Sequence, residues 1–431
     1  MANKPRVVVV GAGFGGLELC KALRKEAVEV LLIDKNNYHT FIPLLYQVAT
    51  GGLEAGSVAY PVRRVFRKNK YVKFQMATVD KVDVAEQCLQ TSVGTIAYDY
   101  LVLATGSNTN FFDFAPKQSN FLTLKSVPDA LNIRSYVMQN LEKAIATQDK
   151  TKQGQLMNIA IVGGGPSGVE LAGALGEMKR YVFPKDFPQI DFDRMSITLF
   201  EAAPKLLSSM AEQSSEKCLL YLQKLGIEVR LNTQVKDYDN QVVLLADGST
   251  FETETVIWAA GVKGEMPAGI DAAYIARGNR IIVDKQNQIE GLPNIFAIGD
   301  IAYFPTEDYP KGLPMLAPVA MQQGQHLAKN ITKLLQNKPL QPFAYSNKGS
   351  MAIIGRNKAV VELPKFKFQG TFAWLVWMFV HIMSLVGFRN KLVAFLDWTQ
   401  NYFSYDRPLG LVVRPFYKNK EQEESSKGTP V

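Results

Sequence analysis

The sequence predicts an α/β protein made of two doubly wound, Rossmann-like dinucleotide-binding domains, one of them split by insertion of the other, followed by a helical C-terminal region. Three observations predict it. A strand–glycine turn–helix–strand–acid unit occurs twice, each copy closes on an apolar strand ending in Gly at nearly the same distance, and the composition changes sharply beyond residue 370. A chain of 431 residues is too long for one hydrophobic core and long enough for two or three.

The first copy opens on Arg6 to Val10, where four valines read as a buried parallel strand. Gly11-Ala12-Gly13-Phe14-Gly15-Gly16 follows, then a helical pattern from Leu17 to Arg24, then a strand from Glu29 to Ile33 that ends at Asp34 and Lys35. Tyr100 to Thr105 and Gly106 close it. The second copy runs Asn158 to Val162, Gly163-Gly164-Gly165-Pro166-Ser167-Gly168, a helix from Val169, and a strand Ser196 to Phe200 ending at Glu201. Its closing strand is Thr255 to Ala260 and Gly261. First and closing glycines lie 95 residues apart in one copy and 98 in the other.

A glycine triplet between strand and helix has a specific use. The first glycine turns the chain tightly, the second lets a pyrophosphate approach the backbone, and the third lets helix and strand pack closely. The helix N-terminus adds unpaired N–H groups and the positive end of its dipole. Asp34 and Glu201 stand where an acid accepts hydrogen bonds from an adenosine ribose, and Glu201 favours NADH over NADPH because a carboxylate repels a 2′-phosphate. Asn294 to Gly299 is a further apolar strand ending at Asp300, a position that in this architecture holds the ribityl chain of a flavin; the bland reading of Asp300 is a turn cap. The chain is therefore expected to bind FAD and NAD(H), with the NAD domain inserted into the FAD domain. The expected boundaries are 1–115 and 280–340 for FAD, 116–279 for NAD(H), 341–420 for the C-terminal region and 421–431 for a disordered end, with 150–157 as a polar linker.

Composition narrows the remaining classes. Lys+Arg 48 against Asp+Glu 40 gives +8, which suits an anionic membrane, an acidic substrate or nucleic acid without choosing. Cys20, Cys88 and Cys218 are widely spaced with no CxxC, and His39, His326 and His381 are equally scattered, so neither a disulfide framework nor a metal site is expected. No signal or transit peptide precedes the first strand, which points to the cytosol. The basic run of Arg63, Arg64, Arg67, Lys68, Lys70 and Lys73 reads as a solvated helix face in preference to a dedicated nucleic-acid or lipid patch.

The tail is a different material. Residues 371–388 contain no Lys, Arg, Asp or Glu, and residues 371–417 hold twelve aromatics in 47 positions, including three of the four tryptophans. Gly387, Arg389, Asn390 and Lys391 end the apolar run, and Leu392, Phe395, Leu396 and Phe403 then fall near one helical face, with Asp397, Gln400 and Asn401 off it. Residues 371–420 carry net +4, from six basic residues (Arg389, Lys391, Arg407, Arg414, Lys418, Lys420) and two acidic. Trp, Tyr and basic side chains of this kind favour an anionic membrane–water interface. A helix pair lying in the interface is the preferred reading, beside a dimer interface and a single spanning helix.

Several stretches make the chain similar to the type II, single-subunit NADH:quinone oxidoreductases: Asn37 to Gly51 (NYHTFIPLLYQVATG), Gly168 to Gly173 (GVELAG), Leu316 to Gly324 (LAPVAMQQG), and the tail from His381 to Arg407. The resemblance runs to about Arg414. It implies FAD, NADH, a membrane quinone as acceptor, no proton pumping, peripheral attachment to the cytoplasmic side of a membrane, and a homodimer. It implies FAD contacts from Gly11, Gly13, Phe14, Gly15, Gly16, Asp34, Lys35, Thr105, Gly106, Gly299, Asp300 and Ala317. For NADH it implies Gly163, Gly165, Pro166, Ser167, Gly168, Glu201, Ala260 and Gly261. The family helix commonly reads Ala-Gln, two residues, Ala, one residue, Gln. Here Pro318 replaces the first Gln, so Gln322 is the remaining quinone candidate, against an ordinary solvent-facing glutamine. Glu170 is the second catalytic candidate, which the resemblance puts near the nicotinamide and flavin to orient groups or pass a proton toward quinone; the bland reading is an acid in the first helical turn complementing the dipole. Disulfide reductases and sulfide:quinone reductases of this architecture need cysteines that this chain lacks. The alternative activities are a soluble NADH oxidase, an NADH:electron-carrier-protein reductase, and, outside enzymes, a redox-sensing binding protein.

Overall fold

The computed structural model describes residues 4–23, 28–405, 411–412 and 414–418. Arg24, Arg407, Lys420 and the expected disordered end at 421–431 lie outside the described residues. The helices that position the sites are, in chain order, α1 (Phe14–Leu23), α2 (Leu45–Ala49), α3 (Val127–Ala146), α4 (Lys150–Met157), α5 (Pro166–Tyr181), α6 (Ala317–Leu334), α7 (Thr371–Ser384) and α8 (Phe388–Ser404).

Two compact units form: Met1–Thr40, Tyr60–Asn108 and Val262–Lys348 make one, and Phe41–Ala59, Thr109–Gly261 and Gly349–Val431 the other. The first is built on a six-stranded sheet in the order Gln288–Ile289, Leu292–Ala297, Tyr100–Leu103, Arg6–Val10, Glu29–Asp34, Val72–Met76. All neighbours are parallel except the 288–289 edge. The second holds a five-stranded parallel sheet in the order Leu122–Thr123, Thr255–Trp258, Ile159–Val162, Ile197–Phe200, Glu228–Arg230. Each sheet places the closing strand beside the first and the first beside the second, so the two sequence copies are one topology used twice. Apolar side chains cover both faces: Val8, Ile33, Leu101 and Ile295 are inaccessible in one unit, as are Ala160, Val243 and Val256 in the other.

The structural division differs from the sequence-based boundaries in several places: residues 109–115 fall with the second unit, and residues 262–279 and 341–348 with the first. Residues 41–59 belong with the second unit, because the C-terminal helices hold them: Asn390 donates to the carbonyls of Gly56 and Ala59, and Asn401 to that of Gly52. The tail likewise packs into that unit through the antiparallel sheet 350–369, whose Ile354 carbonyl would lie 1.9 Å from a Cβ at Gly173 of α5. The expected linker at 150–157 is the helix α4, capped by Asp149, whose carboxylate accepts from the N–H groups of Thr151 and Lys152. The basic run forms only the short helix Val62–Phe66 before the chain turns into the strand carrying Lys73, and its basic side chains are exposed.

Candidate functional site

The two glycine turns are the same object. Gly11 and Gly163 adopt φ +107° and +111°, and a Cβ on Gly11 would stand 2.2 Å from the Ala104 carbonyl oxygen. A Cβ on Gly16 or Gly168 would stand 2.0 or 1.9 Å from the carbonyl oxygen of Gly11 or Gly163, the close packing the third glycine permits. The middle glycines Gly13 and Gly165 have nothing within 4 Å of that position, an opening at the N-termini of α1 and α5 for a phosphate. Strand-end acids brace both turns from behind. Asp34 accepts from Ala12 N–H at 2.7 Å and from Asn36 N–H at 2.7 Å; Glu201 accepts from Gly164 N–H at 2.5 Å and from Ala203 N–H at 2.7 Å. Pro166 sits at the start of α5, where its missing N–H costs nothing, and Ser167 follows it, exposed. Ala260 and Gly261 end the closing strand, with the Phe112 ring against Gly261.

The other first-unit candidates surround the first turn's sheet. Asp300 accepts from the Ser107 hydroxyl at 2.6 Å. Thr105 Oγ1 is buried without a hydrogen-bond partner beside Gly106. An orphaned hydroxyl and the open position at Gly13 fit FAD. Lys35 is exposed and paired with Glu265 at 2.8 Å. Ala317 begins α6, so Pro318 falls in the first turn, where a proline is accommodated in place of the family glutamine. Gln322 uses both ends of its amide on one residue, accepting from Ser346 N–H and donating to the Ser346 carbonyl, each at 3.0 Å. Its neighbour Gln323 is the residue the sequence reading passed over: it is 1% exposed and accepts from Gly299 N–H at 2.7 Å, fixing the loop that carries Asp300. A signal was present, since a glutamine one position round the helix faces the packed side when its neighbour faces solvent.

Glu170 does not lie in the first turn of its helix. It is one turn further in, buried, facing a pocket in the second unit. Tyr46 and Gln47 from α2 and Thr50 just after it, Glu170 and Glu177 from α5, Ile353 to Arg356, Trp374 and Trp377 from α7, and Trp398, Asn401 and Tyr402 from α8 line that pocket. Glu177 accepts from Arg356 N–H at 2.6 Å, and the Arg356 guanidinium donates to the Asn401 carbonyl at 2.6 Å while covering Tyr402 and Tyr405. Glu170 forms no ion pair among the described residues. Burial pushes its carboxyl up to about 8, opposed by the Ile353 N–H, 3.4 Å away, and by the indole of Trp377. That indole N–H is buried outside hydrogen-bond geometry with any acceptor, yet near enough to Glu170 to lower its pKa. Trp377 itself is inaccessible, stacked on His381 at 3.9 Å and packed against Trp398 at 5.7 Å. At neutral pH the pocket therefore holds a protonated carboxyl among aromatic faces.

Outside the pocket, α7 and α8 turn large apolar groups to solvent: Phe372, Leu375, Phe379 and Met383 on one, Phe388, Leu392, Phe395, Leu396 and Phe403 on the other. Phe388 is 81% exposed and Phe403 79%, whereas Asn390, Ala394 and Trp398 face the protein. No helix among the described residues is long and apolar enough to cross a membrane. The 17 residues of α8 reach roughly 25 Å, against ~30 Å of hydrocarbon. Burial raises the Cys218 thiol to about 12 and the Cys20 thiol further, so both are inert packed groups.

Residues 5–324 match the pyridine nucleotide-disulphide oxidoreductase family, and residues 347–405 match the NDH2 C-terminal domain. The type II NADH:quinone oxidoreductase Ndh of Mycobacterium tuberculosis is 34% identical over 426 residues, covering 94% of this chain and 89% of that one. The type II NADH:quinone oxidoreductase of Staphylococcus aureus (strain NCTC 8325) is 30% identical over 365 residues, covering 83% and 89%. Among solved structures, NDH2 from Plasmodium falciparum in complex with NADH matches with a TM-score of 0.87 at 22% identity, covering 94% of this chain and all of that one. The sulfide:quinone oxidoreductase of Aquifex aeolicus matches with a TM-score of 0.70 at 20% identity, covering 93% and 95%. These two structural likenesses establish the fold.

Proposed function

The chain belongs to the pyridine nucleotide-disulphide oxidoreductase family and, within it, to the type II NADH:quinone oxidoreductases, and we propose that it oxidises NADH and reduces a quinone without pumping protons. Bound FAD supplies the two-electron relay between them. The first turn, Asp34, Thr105, Gly299 and Asp300 hold FAD; the second turn and Glu201 hold NADH. The observation that carries the quinone half is the pocket around Glu170. A quinone needs two protons as well as two electrons, and Glu170 is a buried acid poised near 8 between flat aromatic walls, close to the operating pH at which a proton donor is most effective. Glu170 is assigned as the donor and Trp377 as its orienting neighbour. Gln322 is retained as a quinone-side contact that acts through Ser346.

Ferricyanide separates the halves, because it accepts electrons without protons. Purified protein with NADH should reduce both ferricyanide and a short-chain quinone. Ferricyanide reduction with no quinone turnover would reject the quinone reading in favour of a carrier reductase, and oxygen consumption without quinone turnover would favour an oxidase.

The exposed apolar faces of α7 and α8 support attachment to a membrane surface, where Arg389 and Lys391 meet anionic headgroups. Attachment is placed on the cytoplasmic side and the protein read as a homodimer, as part of a respiratory chain. Replacing Phe379 and Phe395 by Ser should reduce sedimentation with anionic vesicles while ferricyanide activity persists; unchanged sedimentation would remove these helices from the membrane role. Light scattering of the purified protein tests the dimer.

A further inference from the structure

The two turns differ at one hydrogen bond. In the second turn the Gly164 peptide is gripped at both ends by the local chain: its N–H by Glu201, and its carbonyl by the Leu207 N–H at 2.8 Å. Leu207 adopts φ +48° in that loop, a left-handed conformation unfavourable for a leucine and a sign that the contact is worth its strain. In the first turn the Ala12 N–H is held by Asp34 in the same way, but the Ala12 carbonyl is met by a side chain, the imidazole of His39, with Nδ1 2.8 Å from the oxygen. His39 is 3% exposed, and its ring meets Phe14 edge-on at 5.2 Å and 86°, so it touches two residues of the turn.

Peptide geometry gives this bond a consequence. In a planar trans peptide the carbonyl of one residue and the N–H of the next point in opposite directions. Holding the Ala12 carbonyl toward His39 aims the Gly13 N–H the other way, and Gly13 is the glycine whose Cβ position is open. The Leu207 bond does the same for Gly165 in the second turn. Because a carbonyl can only accept, Nδ1 carries the proton. Burial lowers the pKa of the ring, against the helping bond to Ala12, so it makes this contact as a neutral imidazole. Glu18 and Lys21 of α1, paired with each other at 2.8 Å, are the charged groups acting on the ring.

We propose that His39 is a positioning residue for FAD, presetting the Ala12–Gly13 peptide so that the Gly13 N–H faces the pyrophosphate. The inference rests on the FAD reading of the first turn, and the NADH turn, which lacks any such side chain, is its internal control.

The test uses full-length His39→Leu, His39→Asn and His39→Asp proteins. FAD content after purification and FAD affinity of the stripped protein, by quenching of flavin fluorescence, are measured beside NADH affinity. The leucine variant should bind FAD on the order of tenfold more weakly with NADH affinity unchanged, and asparagine, which presents an N–H near the position of Nδ1, should recover most of the loss. Leucine binding FAD as tightly as wild type would overturn the proposal, as would an asparagine variant as weak as leucine. Should leucine also abolish NADH binding through misfolding, the asparagine and aspartate variants decide: asparagine tighter than its acceptor-only isostere supports the proposal, and equal affinities overturn it. Wild-type protein that takes up no FAD would overturn the FAD reading itself, and this inference with it.

Discussion

The glycine turns and the pocket around Glu170 are built from opposite materials. Each turn is mostly backbone: its working parts are peptide N–H groups exposed by the absence of side chains, braced by one strand-end acid and, in the first turn, by the His39 ring. The pocket is side chain: two carboxyls, three indoles, two phenols and a guanidinium from α2, α5, α7, α8 and the sheet beside them, gathered from positions far apart in the chain. The turns share their three glycines and a strand-end acid, so one local pattern is used twice. The key property of the pocket, a carboxyl kept protonated, exists only when distant segments exclude water together. A turn should therefore fail when an atom is added, and the pocket when a polar atom is taken away.

The largest effect expected is at the third glycine. Gly168→Ala places a methyl 1.9 Å from the Gly163 carbonyl oxygen. Overpacking of roughly 3 kcal/mol corresponds to about a hundredfold loss in NADH binding, with FAD retained; equal loss of both would show that the turns are not independent. Next is Gln323→Leu, which leaves the buried Gly299 N–H unpaired at a cost of ~2 kcal/mol and should lower FAD retention, whereas Gln322→Ala beside it should not. A third test concerns stability against pH. An ordinary carboxyl near 4.5 that rises to about 8 on folding contributes stability fully present below 4.5 and lost as pH rises through 8. Melting temperature should decline across that window, and Glu170→Gln should flatten the decline. Trp377→Phe removes a group that lowers the Glu170 pKa, so the alkaline limb of quinone reduction should move to higher pH with ferricyanide activity unchanged. Smallest is Gln322→Ala, which loses two hydrogen bonds to an exposed loop: about 1 kcal/mol of stability and a modest rise in quinone KM.

What was legible in the sequence follows the same contrast. The strands, both glycine turns and the topology they share could be read because glycine spacing and valine runs encode backbone geometry locally. The exposed apolar face of α8 is legible from periodicity, and the apolar character of α7 from its uncharged, aromatic-rich run. The Glu170 environment was not, since its position in the second copy suggests a dipole-complementing acid and only the packing of α7 shows it buried. The family pattern points to Gln322, whereas helix phase turns Gln323 toward the packed side, where it holds Gly299. The linker at 150–157 misled because a polar segment capped by Asp149 reads as loop until its last turn, Leu156 and Met157, is seen to be buried.

The central claim is that Glu170 supplies a proton to quinone while the turns carry out cofactor binding without it. The most direct measurement is the ratio of NADH:quinone to NADH:ferricyanide turnover from pH 6 to pH 9, in wild type and in Glu170→Gln. The account predicts a wild-type ratio that falls above about pH 8, and a variant ratio lower by on the order of a hundredfold and flat with pH. A variant whose ratio matches wild type across that range would contradict it.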